Sequence, residues 1–428
     1  MASPGRGPVP TTFSCRCDPV LPADSIGQRS ETVRRANLAA IVRELHVRGP
    51  QSRSELVART GLTRTAIRAL IGELVAGDLL VEERRPLAGA PGRPSPVVRP
   101  KPAAVLVLAI QVAVDSLAAA LVGVGGTPLE RIRISRPRGH FSVDEIVADL
   151  RDLTERLPIR RHRRQIVGVG VAMAGLVRRA DGMVSRAPNL GWQDVPLGGK
   201  LAAVLDLDVP VFVANEADLA AMAELRRGAA RGADDMLMVW GEVGVGGGLI
   251  VDGKPVTGVA GYAGEVGHMS VNPAGRRCGC GSVGCWETEI GEGALLRLAG
   301  RPADGGSDEV DAVLADAAAG DVRALGALED VGRWLGIGLA NLVNILNPRV
   351  IILGGLFAQA FPFIDRALDR ELDRTALRGP RGLVRVAPAG LGIDAPLVGA
   401  AELALEPFLA DPAGWLGPRA QLAAAAGA

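Results

Sequence analysis

The 428-residue chain contains no apolar run approaching the roughly 18 residues that a membrane span requires, and its first residues lack the basic-then-apolar pattern of a secretory leader. A membrane-spanning protein is therefore not expected, and the chain reads as cytoplasmic. Cysteine is scarce, with five in the whole sequence, too few for a disulfide framework. Net charge is nearly absent as well: 48 Lys plus Arg against 47 Asp plus Glu leaves +1 at pH 7. With 48% hydrophobic and 22% charged residues, neither a disordered nor a collagen-like chain fits, and the length points to two or three globular domains.

Charge reappears when the chain is divided. Residues 1–101 carry 16 Lys/Arg and 9 Asp/Glu, and the rest 32 and 38, so a basic head precedes an acidic body. Such asymmetry points the head toward a polyanion, with a solvated basic face as the alternative. Residues 1–27 are rich in Pro, Gly and Ser and read as a flexible tail. Cys15 and Cys17 fall there, an incidental pair with no His or third Cys nearby.

Residues 28–101 read as a separate domain. Leu38, Ile41, Val42 and Leu45 mark one face of a helix that stops at Gly49-Pro50. Ser52 and Glu55 form a capping box for a second helix, Arg53 to Arg59, closed by Thr60-Gly61. Thr63 can cap a third, in which Ile67, Leu70, Ile71 and Leu74 face inward while Arg64, Thr65, Arg68 and Gly72 face out. Three short helices with a tight turn before the third form a helix-turn-helix. Two short strands, Leu79 to Glu83 and Pro96 to Arg99, around a Gly/Pro loop add a wing that carries Arg84, Arg85, Arg93 and Arg99. Guanidinium forks beside short polar side chains suit double-stranded DNA, with Arg64, Thr65, Arg68, Arg84 and Arg93 as the contact candidates. A trihelical protein-interaction module with a basic face is the competing reading.

From residue 102 to about 409 the texture is α/β. Val105 to Ile110, Leu117 to Val122 and Arg131 to Ser135 read as three strands; Met236 to Trp240, a glycine run, Leu249 to Val251, the Asp252-Gly253 turn and Pro255 to Thr257 repeat that unit. The duplication implies two lobes around a cleft. Further buried strands are expected at Ile166 to Val171, Val209 to Val213 and Val350 to Leu353. Residues 410–428 read as a loose Ala-rich tail.

The strongest local signal is His268, Cys278, Cys280 and Cys285, a His-x9-Cys-x-Cys-x4-Cys pattern. Three thiolates and an imidazole make the closed tetrahedral shell of structural zinc, with no open position for activating water. An iron–sulfur cluster and metal-free thiols are the alternatives.

These segments together resemble the ROK family (repressors, open reading frames and sugar kinases), specifically its regulators that fuse a winged helix-turn-helix to a sugar-kinase-like body. The resemblance runs from about residue 31 to 408. It rests on Ser54-Glu55-Leu56, Thr60-Gly61-Leu62, Gly92-Arg93-Pro94, Ala187-Pro188-Asn189-Leu190-Gly191-Trp192, Asn215-Glu216-Ala217, the Glu265 to Glu287 segment, Asn347-Pro348 and Gly354-Gly355. It implies the two-lobed actin-like, ribonuclease-H-like ATPase fold, in a homodimer or homotetramer. It also implies a sugar site at Asn215, Glu265, His268 and Glu287, with His268 shared between metal and sugar. Second-sphere support of the metal loop is the alternative for Glu265 and Glu287.

The kinase loops depart from the family pattern. Where the kinases carry Asp-x-Gly-Gly-Thr after the first strand, this chain has Gln111, Ala113, Val114 and Asp115, so no ATP binding is expected. Glu216 replaces the family's catalytic Asp, a degenerate base position that retains at most a hydrogen bond to sugar. Gly244-Val245-Gly246-Gly247-Gly248 is read as a hairpin turn needing close backbone approach, in preference to a phosphate loop. The resulting expectation is a DNA-binding regulator of carbohydrate genes, most simply a repressor, with a sugar or sugar-phosphate effector and no enzymatic activity. An ATP-dependent sugar kinase with a fused head, and a partner-binding scaffold, are the alternatives.

Overall fold

A computed structural model describes residues 26–83 and 96–416. Cys15, Cys17 and the wing arginines Arg84, Arg85 and Arg93 lie outside the described residues.

The head consists of α1 (Ile26–Arg48), β1 (Gln51–Ser52), α2 (Arg53–Thr60), α3 (Arg64–Ala76), β2 (Leu80–Glu83) and β3 (Val97–Pro100). Local chemistry sets each boundary. Ser52 Oγ accepts from Glu55 N while the Glu55 carboxylate accepts from Ser52 N, the reciprocal capping box, and Gly61 ends α2 at φ 69°. Thr63 Oγ1 accepts from Ala66 N to open α3, and Gly77 closes it. The wing sheet has the order β1-β3-β2, a third strand beyond the two expected. Helix α1 begins at Ile26, two turns or more before the apolar pattern that announced it, so the expected tail boundary at 27 falls inside a helix. Leu38, Ile41, Leu45, Leu56, Ile67, Ile71 and Leu74 are fully buried.

The body repeats one topology twice. Its first sheet has β4 (Leu106–Val112), β5 (Ser116–Gly123) and β6 (Pro128–Ser135) as an antiparallel meander. After α4 (Val143–Glu155) and α5 (Ile159–His162), β7 (Ile166–Met173) pairs parallel with β4. A small sheet of β8 (Leu176–Arg178), β9 (Met183–Ala187) and β10 (Trp192–Val195), then α6 (Leu197–Leu205), precede β11 (Val211–Asn215), which pairs parallel with β7. Helix α7 (Glu216–Arg227) leads to the second sheet, where β12 (Met236–Gly241), β13 (Val245–Val251) and β14 (Lys254–Pro255) form the equivalent meander. Four helices follow: α8 (Glu287–Ile290), α9 (Glu292–Leu298), α10 (Gly306–Ala318) and α11 (Val322–Leu346). Strand β15 (Val350–Gly355) pairs parallel with β12; after α12 (Leu356–Thr375) and α13 (Arg378–Arg381), β16 (Arg385–Pro388) pairs parallel with β15. Helix α14 (Ala395–Ala410) ends the sequence of elements. The strand orders are β11-β7-β4-β5-β6 and β14-β13-β12-β15-β16, the same arrangement in both lobes.

Helices α14 and α7 lie between the sheets because glycines let them approach. A Cβ on Gly170 would stand 1.9 Å from Ala400 O of α14, and one on Gly248 2.5 Å from Ala217 O of α7. Such contacts leave room for nothing larger than hydrogen. The Gly246-Gly247-Gly248 run, read as a turn, lies inside β13 opposite Trp240, Val239 and Met238. The turn itself is 242–244, and the glycines serve the close packing: a Cβ on Gly247 would meet Gly264 O at 2.8 Å.

Head and body share one apolar core. Leu38, Leu45 and Leu74 of the head cluster with Val105, Val122, Leu405, Phe408 and Leu409 of the body. The expected loose tail differs from this: residues 412–416 form a helical turn, Leu416 is buried against Gly77, and Trp415 meets Phe408 edge to face at 6.5 Å. The sequence Pro412-Ala413-Gly414-Trp415-Leu416 reads as irregular because its order comes from packing on the head.

Candidate functional site

Between the lobes lies a cavity of about 460 Å³, within the range of small-molecule sites. It brings together Asn215, Glu216, Glu265, His268 and Glu287, all five residues expected at a sugar site. Each is placed by an element end. Asn215 closes β11 and caps α7: its Oδ1 accepts from Ala217 N at 2.8 Å and its Nδ2 donates to Gly175 O at 2.9 Å. The backbone thus takes most of this amide, leaving one N–H for a ligand.

Glu216, the first residue of α7, has Oε2 buried with no hydrogen-bond partner among the described residues. Burial, then the charges of Glu242 and Asp115, hold its carboxyl well above the ordinary range, which favours its protonated form. Glu242 was not singled out from sequence. It occupies the β12–β13 loop, the counterpart in the second lobe of the β4–β5 loop that holds Asp115, so the duplication was the signal that could have found it. Burial and the charge of Asp115 push Glu242 up to about 7, although Trp240 Nε1 donates to it at 3.0 Å. Asp115 is bound by Arg138 Nη2 at 3.0 Å, and the same guanidinium forms a bidentate pair with Glu292 of the other lobe. Gln111 is fully buried in β4 and accepts from Arg133 at 3.0 Å.

Beside the cavity, one donor atom from each of His268, Cys278, Cys280 and Cys285 lies within 4.8 Å of all the others. Cys280 Sγ and Cys285 Sγ are 3.6 Å apart, too far for a disulfide, and Cys278 Sγ is 3.7 Å from His268 Nδ1. A tetrahedral ion with bonds of 2.0–2.3 Å has edges of about 3.5–3.8 Å, which these two separations match, so the set could hold a metal ion and is compatible with zinc. Gly284 at φ 70° lets the loop double back against Asn272. His268 turns Nδ1 to the thiols and Nε2 toward Glu265 Oε2, 3.8 Å away. Glu287 Oε1 accepts from Cys278 Sγ at 2.8 Å, which places Glu287 against both the loop and the cavity. Burial raises the pKa of Glu265, opposed by His268.

On the head, Arg64, Thr65 and Arg68 are exposed along one side of α3, and Arg64 and Arg68 form no ion pair among the described residues. Arg99 differs from its expected place on a positive rim: its guanidinium pairs across the wing with Glu83, which cancels its charge. Arg53 is likewise held bidentately by Glu82 at 2.7 Å.

A further cluster, invisible in the sequence, joins head to body. His46 of α1 is fully buried; its Nδ1 accepts from Gly125 N at 2.9 Å, which leaves Nε2–H to donate to Glu402 Oε2 at 2.9 Å. Arg226 Nη1 reaches Glu402 at 2.9 Å and Nη2 reaches Glu406 at 2.7 Å, while Arg227 pairs with Glu402 and donates to Gly125 O at 2.7 Å. Burial alone would raise the Glu402 pKa; His46, Arg227 and Arg226 overcome it and hold the carboxylate well below the ordinary range.

Two lobes of one topology, a cleft into which α7 opens, and a winged three-helix head define a two-lobed kinase-like body fused to a helix-turn-helix. The ROK family model matches residues 107–407, and the chain belongs to this family. It is 28% identical over 381 residues to a xylose repressor of Bacillus spizizenii, covering 88% of this chain and 97% of the repressor. The crystal structure of a ROK family transcriptional regulator, a homolog of the Escherichia coli MLC protein, superposes with a TM-score of 0.72 at 25% identity, covering 90% of this chain and 98% of that one. A ROK family glucokinase from Streptomyces griseus, solved with glucose and AMPPNP, superposes with a TM-score of 0.63 at 30% identity, covering 70% of this chain and 99% of the kinase.

Proposed function

We propose that this chain is a cytoplasmic transcriptional repressor of carbohydrate genes, whose head binds double-stranded operator DNA and whose cleft binds a sugar or sugar-phosphate effector. The observation that carries this reading is α7. It begins in the cleft with Asn215 and Glu216 and ends at Arg226 and Arg227 on the buried head junction. Its 12 residues span about 18 Å as one rigid element, so a ligand that moves the α7 N-terminus moves the partners of His46 and Glu402. Effector and operator affinities are then linked reciprocally. Exposed Arg64, Thr65 and Arg68, with wing residues Arg84 and Arg93, supply the contacts to DNA. A homodimer or homotetramer presents two heads to one operator.

The metal at His268, Cys278, Cys280 and Cys285 is a structural zinc ion that fixes the loop bearing Glu265 and Glu287. ATP is disfavoured by acids in both loops of the duplicated fold, Asp115 and Glu242, where a triphosphate requires amides and cations. Glu216 in place of the family's Asp also argues against phosphoryl transfer, because the added methylene displaces the base position. A sugar kinase with a fused head is the second reading, favoured by the likeness to the Streptomyces griseus glucokinase.

The test is a mobility-shift titration on the chain's own promoter region, with and without sugars, beside a coupled phosphorylation assay. Specific binding at moderate salt, weakened by Arg68→Ala and relieved by one sugar, is expected. Absence of sequence-specific binding, or brisk ATP turnover on any sugar, overturns the proposal.

A further inference from the structure

The cavity is lined by four carboxyls, Glu216, Glu242, Glu265 and Glu287, and by four arginines. The arginines come from separate segments: Arg186 from β9, Arg276 and Arg277 from the metal loop, and Arg297 from α9. None of the four forms an ion pair among the described residues, whereas Arg133 and Arg138, near the acidic loops, are each held by carboxylates.

Two of them are fixed by backbone oxygens. Arg297 donates to Gly293 O at 3.0 Å and to Thr288 O at 3.1 Å, both of pocket-lining residues. Arg186 donates to Gly279 O at 3.3 Å, reaching from the first lobe to the metal loop of the second. Carbonyls orient these guanidinium groups without neutralising them. Arg297 is partly buried, and its pKa is lowered first by that burial and then by the nearby charge of Arg276, with Glu289 opposing both. Two like charges close together in a cleft, neither in an ion pair among the described residues, form a site that an anion relieves.

From this we infer that these arginines form an anion subsite centred on Arg276 and Arg297, and that the effector is a monosaccharide carrying a phosphate ester or a carboxylate. This inference rests on the proposed effector role of the cleft and specifies its ligand. The sugar hydroxyls meet the carboxyls and the remaining Asn215 N–H; the anionic group meets the guanidinium forks. Arg186, anchored to the other lobe, makes the subsite sensitive to cleft closure.

The experiment is calorimetric titration of the metal-loaded full chain with xylose, glucose and N-acetylglucosamine, their phosphate esters, glucuronate and inorganic phosphate. At least one anionic sugar is expected to bind about tenfold or more tightly than its neutral parent, as a charge-assisted contact allows. Higher salt and Arg276→Gln are each expected to narrow that ratio. Arg276 is exposed, so its substitution preserves the fold, and Arg297→Lys provides a second variant checked by metal content and thermal midpoint. Neutral parents binding as tightly as their esters, or a ratio unchanged in both variants, overturns the anion subsite while leaving a sugar effector standing. Inorganic phosphate binding alone overturns the sugar component, and no heat from any compound overturns the effector reading itself.

Discussion

Replacing Glu242 by Gln removes a buried charge and keeps the shape. The amide oxygen can still accept from Trp240 Nε1, while repulsion with Asp115 disappears. Because Glu242 has its pKa raised from 4.5 to about 7, the folded protein holds this proton more tightly than the unfolded chain does. Below 4.5 both states are protonated and nothing is lost; between 4.5 and about 7 the unfolded state ionises first, so stability falls as pH rises; above 7 the penalty is complete. At about 1.4 kcal/mol per tenfold of proton affinity, the rise corresponds to about 3 kcal/mol as a ceiling. Urea unfolding of both proteins, followed by tryptophan emission at pH 5 and pH 8, measures the gain. The variant should be more stable at pH 8, by about 1–3 kcal/mol, and by only about a quarter of that at pH 5. Equal gains at both pH values would mean that packing is responsible, and a loss at pH 8 would mean that the carboxylate is needed as an ion; either result refutes the reasoning.

Stripping the metal with a chelator, or Cys285→Ser, should lower the thermal midpoint and abolish the heat of sugar binding, because the loop bearing Glu265 and His268 loses its brace; an unchanged midpoint after verified metal loss would count against a structural ion. Arg227→Met should leave effector binding intact but blunt effector-driven release of DNA, since it removes the α7 contact to Gly125 and one of its two arginine contacts to Glu402; a full response in mobility shift would mean that the signal runs elsewhere. The junction should also be acid-sensitive in one direction. Its Glu402 pKa is depressed, so its contribution is complete above the ordinary 4.5 and disappears only as the pH falls well below it; hydrogen exchange of Gly125 over that range reads the loss.

Much of the head was legible because its determinants are local: the Ser52/Glu55 box, the Thr63 cap and the i, i+3, i+4 leucines sit within a turn of what they control. The duplicated body was legible for the same reason, as was the metal set, whose ligands lie on one short loop. What escaped depends on partners far apart in the chain. Nothing near His46 announces Glu402, and Trp415-Leu416 has no periodicity of its own. Glu242 was hidden by the glycines after it, which attract a phosphate-loop reading, although the strand pairing shows them packed against α7 and Gly264.

The shared core also orders events during synthesis. The apolar face of α1 is covered by Leu405, Phe408 and Leu409, and Leu416 seats beside Gly77, so a module begun in the first hundred residues is completed by residues made some three hundred later. A nascent or truncated polypeptide therefore exposes the underside of its reader until the final helix emerges. Under the proposed function, only molecules that already possess an entire cleft would acquire a finished grip on the chromosome, which would keep incomplete products from occupying operators they could never be induced to leave.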